Sequence, residues 1–150
     1  MISPELIRGY PFFVRHTDRC LKALAMLADE RSYQAGVTIF EAGQPASVFY
    51  FLIEGRVELR YRARYLADPQ LSQTFLVGQV KPGEPFGISA LIEPHCYLAT
   101  AYVSDPSCAL ALGGVGLRTL FAVDADLSAV FMHGIAIVTM SRLHNIWVQM

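Results

Sequence analysis

The spacing of apolar residues changes period twice along the 150-residue chain, dividing it into a helical lead, a β region and a helical tail. Ser3-Pro4-Glu5-Leu6-Ile7-Arg8 reads as a helix start, with a Ser cap, Pro at the first position and an acid in the first turn. The bulky Tyr10-Pro11-Phe12-Phe13 breaks it. Thr17 or Asp18 caps a second helix that sets Leu21, Leu24, Ala25 and Leu27 on one face. From Arg31 the period falls to two. Strands are predicted over 37–40, over 48–53 and over 56–65, the last with Val57, Leu59, Tyr61, Ala63 and Tyr65 on one face and Glu58, Arg60, Arg62 and Arg64 on the other. Glu54-Gly55 between them reads as a tight hairpin. Asp68-Pro69 reads as a loop, and Ser72–Val80 as a strand with Phe75, Val77 and Gln79 on one face. Two further strands, 97–104 and 108–112, flank a turn at Asp105-Pro106. Many short strands at regular spacing predict a sandwich or barrel.

In the tail, Val115–Val123 predicts a short helix, and Asp124 or Asp126 caps a last helix running toward Trp147. Val130, His133, Ile137, Met140, His144 and Trp147 recur at three-four spacing, the seam of a coiled coil. Met132, Ile135, Leu143, Ile146 and Met150 form a second stripe, expected to face the β region. A helix apolar on two faces is covered from both sides, so the seam residues are the candidate homodimer interface. His133 and His144 are three turns apart on it.

The stretch from Gly83 to Val103 sits between the last strands. Gly83 and Pro85 break regular structure, Phe86 is an apolar anchor, and Gly87 permits positive φ. Ser89-Ala90-Leu91-Ile92 can form one helical turn whose free amides point back toward Gly87 and attract anions. Strand, glycine turn, short helix and strand resemble the phosphate-binding cassette of the cyclic-nucleotide-binding domain family, of the catabolite-activator type. Pro11-Phe12-Phe13, Ala35-Gly36-Val37-Thr38-Ile39-Phe40, Glu41-Ala42-Gly43, the run Val48-Phe49-Tyr50-Phe51-Leu52-Ile53-Glu54-Gly55-Arg56-Val57, and Phe86-Gly87 keep that family's order and spacing.

The resemblance covers roughly residues 5–145. It implies one domain over 1–150: N-terminal helices at 1–28, an eight-stranded β jelly roll at 29–113 and C-terminal helices at 115–148. It also implies a regulatory small-ligand sensor whose last helix dimerises and responds to the pocket. The implied ligand-binding residues are Phe86, Gly87, Ile88, Ser89 and Ala90 on the turn, with Tyr97, Leu98 and Ala99 beyond it. The family's ribose-binding Glu falls on Ile88 and its phosphate-binding Arg on Tyr97 or Leu98. No Arg lies between Arg64 and Arg118, and Lys81 is the only Lys there. A buried phosphate needs a cationic partner, so weak or absent cyclic-nucleotide binding is expected. A less polar ligand, or a pocket filled by its own side chains in a structural or interaction protein, are the alternatives.

Hydrophobic residues at 53 % and charged residues at 17 % give a globular chain with apolar surface to cover. A net charge of −1 does not suggest nucleic-acid binding, and no DNA reader is expected after Trp147. Cys20, Cys96 and Cys108 form no paired spacing, so a reducing, cytoplasmic setting is expected. Met1 to Tyr10 shows no signal peptide, and the longest apolar run, Ala129–Met140, is too short to span a bilayer. Arg60, Arg62 and Arg64 form a ridge best read as a solvated face. His95-Cys96 could ligate haem iron, but no second ligand is identifiable. The predicted strands lack the converging His residues of a metal-dependent cupin, and no nucleophile set stands out; no enzyme is expected.

Overall fold

The computed structural model describes residues 1–64 and 72–149; Tyr65, the Asp68-Pro69 loop and Met150 lie outside the described residues. The chain builds the expected mainly antiparallel β fold with flanking helices. In order, the elements are α1 (Glu5–Arg8), a 3-10 turn (Pro11–Phe13), α2 (Asp18–Leu27), β1 (Ala28–Tyr33), β2 (Thr38–Phe40), β3 (Val48–Arg64), β4 (Ser72–Val80), β5 (Pro85–Phe86), a second 3-10 turn (Ile88–Leu91), β6 (Thr100–Gly113), α3 (Gly114–Val123) and α4 (Ala125–Gln149). The sheet order is β1-β6-β3-β4, with β2 also on β6 and β5 also on β3.

Two expectations are corrected by one contact. Glu54-Gly55 is not a hairpin, and Asp105-Pro106 does not separate two strands: β3 and β6 run through both points and pair antiparallel from Val48↔Gly113 to Arg60↔Thr100. The register shifts between Leu52 and Val57 absorb the irregularity. Gly55 has φ +99°, and a Cβ there would lie 2.2 Å from Ser107 Oγ and 2.5 Å from Pro106 O. Glycine therefore serves a bulge with close backbone approach, not a chain reversal. Ser107 Oγ accepts from Arg56 N at 3.0 Å and donates to Asp105 O at 2.7 Å.

The face of β4 is also corrected. Leu59 pairs with Gly78 but Arg60 with Leu76, so Val77 is skipped. That extra residue flips the side-chain parity, and beyond it Gly78 and Val80 are buried while Gln79 is exposed. β1 escaped periodicity because it is an edge strand with a polar, exposed centre.

Alternate residues of β3 build two cores. Phe49 and Phe51 face the helices: Phe51 meets Phe13 at 4.7 Å between ring centroids, and Phe49 meets Phe131 of α4 at 5.3 Å. Tyr50 faces the other way, onto Phe86 and Phe40 inside the roll. Thr17 caps α2 by accepting from Cys20 N at 3.3 Å, and α2 buries Cys20, Leu21, Leu24 and Ala25. Asp124, not Asp126, caps α4: its Oδ1 accepts from Leu127 N at 3.1 Å.

The roll-facing stripe of α4 is Leu127, Phe131 and Ile135, all buried, followed by Val138, Arg142 and Ile146, half-buried. Of the stripe read from sequence, Ile135, Met132 and Ile146 hold to this side, but Leu143 is 43 % exposed. At 3.6 residues per turn the line from Leu127 runs through position 142, not 143.

Candidate functional site

The cassette is built by β5 and the turns around it. Gly83 N donates to Leu52 O at 2.8 Å, Leu52 N to Glu84 O at 3.0 Å, and Pro85-Phe86 then pairs with Phe51-Tyr50. Gly87 follows in the left-handed region, φ +71° and ψ +32°, and starts the 3-10 turn Ile88–Leu91. A Cβ on Gly87 would stand 3.1 Å from both Tyr50 Cδ2 and Val48 O. Positive φ and close approach both require glycine here.

The space in front of that turn is filled with rings. Tyr97 stacks on Phe40 with centroids 3.7 Å apart and planes 12° from parallel. Its hydroxyl donates to Val48 O at 2.7 Å and accepts from Val48 N at 3.3 Å. Phe40 continues to Tyr50 at 5.9 Å, and Tyr50 to Phe86 at 5.0 Å. Phe86, Ala90 and Tyr97 are therefore core residues; Ile88, Ser89 and Ala99 are half-buried. Leu98 is 74 % exposed and stands outside the cluster.

Several polar groups at this site come from elements distant in sequence. Burial, with the Tyr33 and Tyr97 hydroxyls beside it, pushes the Tyr50 hydroxyl up to about 12, while Arg31 acts in the opposite direction. Arg31 and Tyr33 reach it because β1 lies beside β6: Arg31 pairs with Ala109, which pairs with Leu52. Arg118 Nη1 donates to Ala90 O at 2.6 Å and ties α3 to the end of the cassette turn. Arg142 inserts from α4, donating to Pro85 O, and burial lowers its pKa to about 10 while Glu84 opposes. No local motif announces these four residues; they converge through strand order and helix docking.

The opposite side of α4 is apolar and open. Ile137, Met140 and Trp147 are 58 %, 72 % and 63 % exposed, His133 and His144 are exposed beside them, and Val130 is half-buried. By length and composition α4 is also able to cross a membrane, a property the shorter run Ala129–Met140 did not suggest. In the arginine ridge, Arg60 is not simply solvated: it bonds Glu58 at 2.9 Å and lies 4.1 Å over the Tyr102 ring. Arg62 is exposed. Cys96 pairs through its backbone with Pro45, and His95 Nε2 is buried with no partner among the described residues. Among the described residues no group of three His, Cys, Asp or Glu could hold a metal ion.

Residues 30–124 match the family profile described as "Cyclic nucleotide-binding domain". A Geobacter metallireducens protein provisionally described as a cyclic nucleotide-binding protein has a similar crystal structure, at 34 % identity and TM-score 0.80, covering 96 % of this chain and all of that one. The sensor domain of the transcriptional regulator DNR from Pseudomonas aeruginosa shares the fold at 19 % identity and TM-score 0.69, covering 89 % and 91 %. A provisionally named potassium channel protein of Rhodopseudomonas palustris is 24 % identical over 128 residues; the match spans 85 % of this chain but only 29 % of that protein's length. With the roll, the left-handed glycine and the short turn that follows it in place, the chain belongs to the cyclic nucleotide-binding domain family.

Proposed function

We propose that this chain is a regulatory, non-catalytic sensor-type module that dimerises in parallel through α4 and passes the state of its roll to that helix. The observation that carries this reading is the division of α4 into two faces. Leu127, Phe131 and Ile135 are buried against the roll, while Ile137, Met140 and Trp147 are open to solvent on another side. Folding of one copy leaves that second stripe in water, at a cost of roughly 25 cal/mol per Å2 of apolar surface. A two-fold axis beside the helix buries it against its own copy. The same faces speak against a membrane span, since the roll already occupies one side and Arg142 and Gln149 bond Pro85 and Leu76 there.

Light scattering tests the reading. Wild type is expected to be a dimer at micromolar concentration, and Ile137→Asp with Met140→Lys a folded monomer. A wild-type monomer, or a double variant that stays dimeric, would reject the interface.

A second reading, a self-filled roll serving as a structural or interaction module, is favoured by the Phe40–Tyr97 stack at 3.7 Å directly before the cassette. A thermal-shift screen with nucleotides, haem and apolar effectors separates the two: stabilisation by any of them, with shifts at the cassette, supports the sensor.

A further inference from the structure

A groove of about 550 Å3 lies outside the roll, between the first 3-10 turn, the 82–85 loop and α4. Its floor exists because of Gly134. A Cβ there would come 2.9 Å from Phe12 Cε2, so only glycine lets α4 approach the turn this closely. Phe12 is held in place by edge contacts to Phe13 and Phe131 at 5.0 and 5.2 Å. Pro85, Val130 and Ile137 add apolar wall. Arg15 and His133 share the rim, and both also line an adjoining depression of about 260 Å3.

The arginines near the start of the chain differ in their partners. Arg8 pairs with Glu5 and Asp18, and Arg19 pairs with Asp124, whereas Arg15 forms no ion pair with a described residue. The groove's one carboxylate, Glu84, already accepts from Lys81 N at 2.8 Å. A concave apolar floor with one uncommitted guanidinium at its edge is complementary to a small molecule with an apolar body and one anionic end.

We propose that this groove binds a fatty-acid-class monocarboxylate, with the carboxylate on the Arg15 guanidinium and the chain laid along Phe12, Pro85, Val130 and Ile137. Its volume falls in the range of small-molecule sites, about 300–1,000 Å3. A guanidinium suits the ligand because it meets a carboxylate with two parallel N–H bonds. The groove is walled by the cassette's leading loop on one side and α4 on the other, so an occupant touches both. Val130, His133 and Ile137 also lie on the α4 seam, so this inference requires the dimer proposed above to leave the groove open to the ligand.

Decanoate and decanol, titrated by calorimetry and followed by amide chemical shifts, test it. Saturable decanoate binding is expected, with shifts at Gly134 and His133 and none at Gly87. Decanol should bind about ten-fold or more weaker, the loss that follows removal of a charge-assisted pair. Arg15→Gln, an exposed substitution, should bring decanoate to the level of decanol, and Arg15→Lys should recover part of the difference. No saturable binding, equal affinity for acid and alcohol, indifference to Arg15→Gln, or shifts centred on Gly87 would each overturn the proposal. So would decanoate binding that occurs only by dissociating a dimer, since the groove would then be a surface covered by a second copy.

Discussion

Gly87 holds φ +71° with its α-carbon packed toward Tyr50 and the Val48 carbonyl. Any side chain there meets both backbone strain and a steric wall. Gly87→Val is expected to lower unfolding stability by roughly 1–3 kcal/mol from strain alone, read as a shift in denaturant midpoint; an unchanged midpoint would show that the turn relaxes freely. His16 is a residue the sequence did not single out. It is buried near Phe13 and Phe131, at 6.2 and 6.1 Å between ring centroids, and neither ring nitrogen has a partner among the described residues. Burial holds its pKa below the usual 6.5, against an opposing pull from Asp124. The unfolded chain therefore binds this proton more readily than the folded one, so stability falls as pH drops below about 6.5. His16→Leu should remove that acid dependence and raise stability by about 1 kcal/mol, because two unsatisfied polar atoms leave the core. Melting curves of the two proteins at pH 7.5 and 5.5 should diverge at the lower pH, and equal acid sensitivity would refute the assignment.

At the scale of elements, α4 is held differently along its length. Its first half is anchored by buried Leu127, Phe131 and Ile135. Its second half is held by polar side chains: Arg142 reaches Pro85 O past Gly78, where an added Cβ would meet the Arg142 Cγ at an ordinary 3.6 Å. Gln149 then completes the β4 edge, donating to Leu76 O and accepting from Leu76 N at 3.0 Å. Few apolar contacts and a polar clasp mark a segment that opens locally before the whole domain does. Arg142→Ala should therefore speed amide exchange over residues 140–149 while leaving β3 and β6 protected. Uniform exchange rates along α4 in the variant would show that the clasp adds nothing. A helix whose second half is released separately from its first is also what a sensor would need to pass a signal to a partner helix.

For the whole molecule, the roll of a cyclic nucleotide-binding domain is present but its interior is occupied by the Tyr97–Phe40–Tyr50–Phe86 rings. The stacked Phe40–Tyr97 pair lies beside Gly87, and where the resemblance places the family's ribose-binding Glu and phosphate-binding Arg this chain has Ile88 and Tyr97 or Leu98. Losing one charge-assisted pair alone removes roughly 1.5–3 kcal/mol. Titration calorimetry with cyclic AMP and cyclic GMP is expected to give no micromolar binding, and a micromolar constant for either would reject this reading of the cassette.

Much of this architecture is legible in the sequence because its signals are local. Caps act within a single turn, so Thr17 or Asp18 and Asp124 or Asp126 could be named, and the Cys20 and Leu127 amides decided for Thr17 and Asp124. Helical periodicity repeats every few residues, so the open seam from Val130 to Trp147 followed from spacing alone, and the Phe86-Gly87 turn followed from glycine's access to positive φ. What spacing could not supply was anything decided between distant segments. Gly55 reads as a turn residue until β6 is laid against it and Ser107 occupies its missing side chain's place. Arg142 carries no local signal, because a hydrophobic pattern does not identify which cation on a helix will reach a backbone carbonyl of a neighbouring strand. The ring stack in the roll, the approach of Arg31 to Tyr50 and the groove floored by Phe12 and Gly134 all depend on residues brought together by strand order and helix docking. Local chemistry determined which elements form, and only the close packing of one element on another decided what space was left between them.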